Sequence, residues 1–414
     1  MSTIDAGAAP AQTMDRRSVA LLAVGHFTDD INQSFLPALL PMLVAVQHLS
    51  YAVAATLVLA QGISSSVVQP AIGYIADKRP LPWIAGLGLL FAGGGIAAIG
   101  FMPNYPLLFL CALISGLGVA MWHPEAARFT NLASGPKKAS GMRWFAVGGN
   151  VGFAVGPAFA TVALYFAGIR GTWLAALPVL IMGTLILRAV PRLYRLLPKT
   201  AAVKTASQFP DDWAAFGRLT VFAAVRSMSY IGLISFTPLY FVHVMQTSPG
   251  IANMVLTTFL VAGVAGTLIG APFADRYGRL IVIWVSNGTS VVFALLLALL
   301  VTVPGPLSLA LGFGLALLLG AALTSGAAAL IVLGQEYLPN RMGTASGVTL
   351  GLAVSVGGIF SPVLGLIGDR WGLHTTLLAI VALLSISFLL GFWMPATAAR
   401  REKLLSLRRL QATP

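Results

Sequence analysis

Residues 18–46 read SVALLAVGHFTDDINQSFLPALLPMLVAV. The stretch is long enough to cross a bilayer, for which about 20 mostly apolar residues suffice. Yet His26, Asp29, Asp30, Asn32 and Gln33 sit near its middle. A carboxylate at mid-bilayer costs roughly 2.5–3.5 kcal/mol even on insertion scales. Such groups therefore face a watery cavity or a partner. Helical positions three and four apart are neighbours, so His26, Asp29 or Asp30, and Gln33 share one face. That face reads as the lining of a transport pathway.

The rest of the chain fits the same picture. Of 414 residues, 57% are hydrophobic and 9% charged, where a soluble protein is about a quarter charged. Mean hydropathy is +0.88. The apolar runs are continuous rather than alternating, which favours helices over a membrane barrel. A single cysteine, Cys111, rules out an intrachain disulfide and any cysteine metal cluster. The first 17 residues lack a signal-peptide pattern. A net charge of +13 would suggest nucleic acid in a soluble protein. Here the basic residues sit at helix ends and report topology, so no nucleic-acid partner is expected.

Twelve spans are expected: 18–46, 51–76, 82–102, 105–130, 140–167, 171–190, 217–245, 250–273, 279–302, 306–335, 342–367 and 373–396. The organisation is then a tail (1–17), a six-helix bundle (18–190), a polar linker (191–216), a second six-helix bundle (217–396) and a basic tail (397–414). With both termini in the cytoplasm, all Lys and Arg except Arg170, Arg226 and Arg370 fall at cytoplasmic ends, as positive-inside asymmetry requires. The halves also repeat. Phe35-Leu-Pro37 matches Phe236-Thr-Pro238, Asp77 matches Asp275, and Gly152 and Pro157 match Gly357 and Pro362, at offsets of 201, 198 and 205. Parallel repeats of six spans are the organisation of a major facilitator, with the substrate near the midplane between halves.

Several motifs carry more detail. Gly73-Tyr-Ile-Ala-Asp77-Lys78-Arg79 and Ala271-Pro-Phe-Ala-Asp275-Arg276-Tyr-Gly278-Arg279 follow spans 2 and 8. They resemble the loop signature of the major facilitator superfamily. A carboxylate at a helix end among basic groups would latch one conformation without touching substrate. Asp369-Arg370-Trp-Gly372 falls on the other side and reads as a turn. In span 5, Gly148, Gly152 and Gly156-Pro157 are four apart. That spacing makes a groove for a close helix, and it resembles the antiporter signature of drug/proton exchangers. Trp122-His123-Pro124-Glu125 ends span 4 near Arg128, with Gln335-Glu336 and Arg341 as its counterpart. It reads as an ion pair at the membrane edge or as a cavity mouth, and makes a poor zinc site. Arg226 is the one basic residue well inside a span. By the 201 offset it lies level with His26, and Tyr230 faces Asp29. A guanidinium at that depth needs a carboxylate, an anionic ligand or a path to the surface.

Taken together, Gly25-His26-Phe-Thr-Asp29-Asp30, Gln69-Pro70, Lys78-Arg79-Pro80-Leu-Pro82-Trp83, His123-Pro124-Glu125, Val147-Gly-Gly-Asn150 and Gln335-Glu336-Tyr-Leu-Pro339 resemble the fosmidomycin-resistance exporters. These are bacterial inner-membrane drug/proton antiporters. The resemblance implies proton-driven efflux of a small, polar, anionic compound such as a phosphonate antibiotic. On that reading Asp30 or Asp29 carries the proton, with Asp30 favoured because it shares a face with His26. His26, with an ordinary pKa near 6.5, relays protons. Arg226 and Arg143 hold the substrate's negative charge. Gln33, Gln69, Trp122, His123, Glu125, Trp144 and Tyr230 complete the pocket. No enzyme site and no cofactor are expected. A monomer is expected because one chain holds both halves. Proton-coupled uptake of an organic acid or sugar would use the same acids, and a non-transporting sensor or scaffold is the reading from another class.

Overall fold

The computed structural model describes residues 13–78, 81–197, 209–302, 306–341, 344–345, 348–349 and 353–396. The expected N-terminal tail before residue 13, much of the linker, Arg79 and the C-terminal tail lie outside the described residues, as do the side chains of Asp77 and Lys78. The chain folds into helices α1 (Arg16–Gln47), α2 (Tyr51–Lys78), α3 (Pro82–Ile99), α4 (Tyr105–Ala133), α5 (Lys138–Ala167), α6 (Ala176–Tyr194), α7 (Trp213–His243), α8 (Pro249–Tyr277), α9 (Arg279–Ala298), α10 (Leu307–Ser325), α11 (Ala327–Tyr337), α12 (Ala353–Trp371) and α13 (Leu373–Gly391). No strand occurs among the described residues. By length and composition, nine helical stretches among them can cross a membrane. The acid-bearing α1 is not one of the nine, since its polar centre lowers its hydropathy.

Local chemistry sets the helix boundaries. Asn104, Asp212 and Ser248 accept the Leu107, Ala215 and Ile251 amides at 3.3, 3.1 and 3.3 Å, each satisfying an orphan donor of a first turn. Asp15 does so for Ser18 and also receives Arg192 from the end of α6. Burial pushes the Asp15 carboxyl up, but the hydrogen bonds from Arg192 and Ser18 outweigh it and hold it below the usual carboxylate range. Gly278 joins α8 to α9 at φ +97°, and Gly372 joins α12 to α13 at φ +85°. A Cβ would be strained at either turn.

The first six helices pack on one another, as do the last seven. The Asp15 amide donates to the Ala133 carbonyl and the Asp212 amide to the Tyr337 carbonyl. Thus the starts of α1 and α7 share an end with the ends of α4 and α11. Arg16 and Arg192 lie there in the first group of helices and Arg218 and Arg341 in the second, and we call it the basic end. At the opposite end the two groups meet. The Asp369 carboxylate accepts the Tyr51 and Ala52 amides at 2.7 and 3.0 Å, and the Tyr51 and His243 rings lie 5.6 Å apart. Asp369 is therefore more than the turn read from sequence: it caps α2 from across the interface.

One span departs from its expected course. Residues 306–335 form two helices, broken at Gly326. Ser286 Oγ of α9 inserts there. It lies 2.7 Å from the Ala322 carbonyl and accepts the Gly326 amide at 3.3 Å. A side chain inserted into the hydrogen-bond ladder is a recognised cause of a kink.

Candidate functional site

The groove of α5 brings its backbone against α1. A Cβ on Gly148 would overlap the Ala23 carbonyl, one on Gly152 the Phe27 carbonyl, and one on Gly156 the Ser34 hydroxyl. Since Gly156 also meets the Ile31 carbonyl, glycines four apart on α5 meet carbonyls four apart on α1, the close approach that small residues permit. Pro157 follows within the same helix. Gly149 presents its bare Cα to the polar face of α1. A Cβ there would lie 2.5 Å from His26 Cε1 and 2.6 Å from Asp30 Oδ2.

Around that point four titratable side chains converge. His26 Nε2 is 3.4 Å from Asp30 Oδ2 and 3.3 Å from His123 Nε2. His123 Nε2 is 3.6 Å from Asp30 Oδ1. Gln33 donates to Asp30 Oδ1. Asp29 is fully enclosed, its oxygens without a hydrogen bond of normal geometry, and the His123 Nδ1 is 3.5 Å away. Both rings are oriented by backbone. His26 Nδ1 is 2.8 Å from the Phe145 carbonyl and His123 Nδ1 is 3.0 Å from the Val119 carbonyl. Carbonyls only accept, so each Nδ1 carries the proton and, in a neutral ring, each Nε2 keeps a lone pair. The Phe145 ring stacks on His26 at 4.0 Å. Among the described residues no Lys or Arg is paired with Asp29 or Asp30.

From the second group of helices, Tyr230 lies within electrostatic reach of both Asp30 and Arg226. Arg226 is half-buried, and among the described residues it has no ion-paired carboxylate. Its Nη2 donates to the Leu323 carbonyl, in the last turn of α10. Carbonyls at a helix C-terminus lack helical partners and carry the negative end of the dipole. The break at Gly326 therefore creates the anchor for Arg226.

Other expected pocket residues lie elsewhere. Trp122 is fully enclosed in an apolar cluster with Leu22, Leu89 and Phe129, because Gly25 leaves room for its ring against α1. It is a core residue, not a pocket wall. Glu125 is also fully buried. Its Oε1 accepts the Leu81 amide at 2.9 Å, holding the start of α3. Replacing Glu125 with alanine leaves that donor without its acceptor, at about 1–3 kcal/mol. The expected outcome is a lower thermal midpoint in detergent with the helix content kept; an unchanged midpoint removes the anchoring role. Gln69 is half-buried on α2. Arg143 and Trp144 are exposed on α5, immediately before the buried Phe145, with the guanidinium 6.0 Å from the Trp144 ring.

The structure describes only part of the expected latch. Gly73 has ordinary room, its nearest neighbour to a Cβ being Pro124 at 3.8 Å. Asp275 and Arg276 are exposed, and Arg276 lies over the Tyr277 ring. Among the described residues, Arg279 pairs with Glu336 here, at 2.7 Å. An exposed carboxylate gains little from nearby cations, whereas the half-buried Arg279 reaches the end of α11 directly.

The helical arrangement and the buried polar face bear on ancestry. The profile of the Major Facilitator Superfamily matches residues 22–362. The chain belongs to that superfamily. As a major facilitator it is a multi-pass membrane transporter, and members of that superfamily bind small-molecule substrates. Over 396 residues it is 31% identical to the fosmidomycin resistance protein of Escherichia coli (strain K12), covering 93% of this chain and 94% of that one. Over 390 residues it is 31% identical to the uncharacterized MFS-type transporter YfnC of Bacillus subtilis (strain 168), covering 92% and 93%. The solved nucleoside transporter NupG superposes with a TM-score of 0.72 at 15% identity, over 92% of this chain and 99% of that one, a likeness of fold alone.

Several parts of this site had no sequence signal. Phe145 and Leu323 contribute carbonyls, which every residue has. Gly149 stood beside Gly148 in the motif, but nothing marked it as the floor under His26 and Asp30. The meeting of His26 with His123 joins positions 97 apart.

Proposed function

We propose that this major facilitator exports a small, polar, anionic compound, of the class phosphonate antibiotics represent, in exchange for protons. The two groups of helices rock about the polar face of α1, opening it to each side in turn. The observation that carries this reading is the buried acid–imidazole cluster of His26, Asp29, Asp30 and His123, within electrostatic reach of Tyr230 from α7. Similarity to the fosmidomycin resistance protein supports efflux rather than uptake.

In this reading Asp30, the acid less deeply enclosed, carries the exchanged proton. Asp29 shares its charge, and His26 and His123 relay the proton. Arg226 and Arg143 attract the anion, while Gln33, Gln69, Trp144 and Tyr230 shape its surroundings. The basic end lies in the cytoplasm of a bacterial inner membrane, with both termini there, and the chain works as a monomer. The segments around Asp77 and Lys78, and around Asp275, Gly278 and Arg279, steady one conformation at that end.

The test is proton-linked efflux in everted vesicles carrying Asp30→Asn or Asp29→Asn. Asn keeps the shape and loses the exchangeable proton. Asp30→Asn is expected to abolish the proton-driven component while the chain still inserts at wild-type abundance. Wild-type rates from both variants would remove the coupling assignment.

A further inference from the structure

Two imidazoles present lone pairs to one another at 3.3 Å, beside a carboxylate that lies within 3.6 Å of both. With each Nδ1 proton committed to a backbone carbonyl, neither Nε2 of a neutral ring can donate to the other. Three electron-rich groups thus converge, with Gln33 donating only to Asp30 Oδ1. The separations themselves indicate what fits there. Tetrahedral zinc holds imidazole nitrogens at about 2.0–2.1 Å, which places two such ligands about 3.3 Å apart. The pair of Nε2 atoms already has that spacing. The ligand atoms of His26, Asp30 and His123 all lie within 4.8 Å of one another.

The surroundings match those of metal-binding histidines. Such a ring donates its remote N–H to a carbonyl or carboxylate, which fixes tautomer and direction. His26 does this through Phe145. His123 does it through Val119, with Asp29 Oδ2 at 3.5 Å from the same nitrogen. Asp29 supplies an independent sign. It is fully buried, and neither oxygen receives a hydrogen bond of normal geometry, so a positive charge beside His123 would compensate it.

We propose that His26 Nε2, His123 Nε2 and the Asp30 carboxylate bind a divalent transition-metal ion of the zinc class. Two imidazoles and one carboxylate suit zinc, cobalt or nickel rather than magnesium or calcium. Three protein ligands leave one position open, for water or for an oxygen of an anionic compound. The inference uses the same cluster as the transport reading but stands apart from it, because an ion can bind whether or not protons are exchanged.

The experiment titrates the purified, chelator-treated full chain in detergent with Zn2+ alone by calorimetry, and with Co2+ alone by visible absorption. One saturable Zn2+ per chain is expected, together with the intense visible bands of four-coordinate Co2+. His26→Ala and His123→Ala should each weaken binding about 100-fold or more, at least the loss seen when an outer-shell partner is removed. His48→Ala, at an exposed ring, should bind as wild type. Elution as a single species checks that each variant is folded, and His123→Gln replaces His123→Ala if that variant aggregates. No saturable ion on the wild type overturns the proposal, as does the pale spectrum of six-coordinate Co2+ or undiminished binding by the His26→Ala/His123→Ala double variant. A cluster that takes only protons gives the first of these results. Proton-linked efflux, measured separately, reports on the transport reading, so either can fail alone.

Discussion

Replacing Gly152 with leucine is expected to part α5 from α1 and to abolish transport. The obstacle is backbone: a Cβ at position 152 would overlap the Phe27 carbonyl and lie 2.8 Å from its Cα. A side chain could rotate away, but a helix backbone cannot without carrying its neighbours. Overpacking in a core typically costs about 1–3 kcal/mol, and more where nothing yields. Here the displaced helix is the one that carries His26 and Asp30, and Gly149, one turn earlier, holds α5 against them. The expected result is at least a tenfold fall in monodisperse protein on fluorescence-detected size exclusion, with no efflux from what remains. Gly94→Leu is the control, since nothing lies within 4 Å of a Cβ at that position. Wild-type yield and efflux from Gly152→Leu would show that α1 and α5 need not touch.

Replacing Asp369 with alanine is expected to open the end of the molecule that this structure holds closed. The carboxylate receives two amides from the first turn of α2 at 2.7 and 3.0 Å, and it sits on α12, in the other group of helices. Hydrogen bonds to a charged group are worth about 1.5–3 kcal/mol each. Exposure to solvent reduces that figure, since partly exposed charges are screened. A net loss of about 1.4–2.8 kcal/mol shifts a two-state equilibrium by roughly 10- to 100-fold. Spin labels on the exposed Val53 and Leu366 report the distance between α2 and α12 directly. A longer-distance population should grow in Asp369→Ala, and Asp369→Asn should fall between it and wild type. An unchanged distance distribution would mean that apolar packing alone keeps this end shut.

These outcomes separate what was legible in the chain from what was not. Hydropathy, the placement of basic residues and the repeat between halves are properties of local segments. They follow from the cost of exposing charge or backbone to lipid, so a one-dimensional reading suffices for them. The buried position of Asp29 and Asp30 belongs with these, because acids in a long apolar run have few places to go. The glycine spacing of α5 was also visible, since close helix approach leaves a fixed period.

Partnership was not visible. Tyr51 and Asp369 are 318 residues apart, and no pattern in either segment names the other. Trp122 looked like a pocket aromatic until the space left by Gly25 drew it into the core. For Arg226 the sequence left a carboxylate, an anionic ligand or the surface open; its contact with the Leu323 carbonyl, beside the break where Ser286 inserts, had no signal.

From its sequence alone this protein was determined to be a helical membrane transporter with a polar face on its first helix, because the bilayer penalises each misplaced charge wherever the chain goes. Only the tertiary structure decided that His26 and His123 meet over Asp30, that Glu125 anchors α3, and that one end is sealed by a carboxylate on α12. Those depend on which backbone carbonyls and amides are left open when helices dock, and such groups are carried identically by nearly every residue.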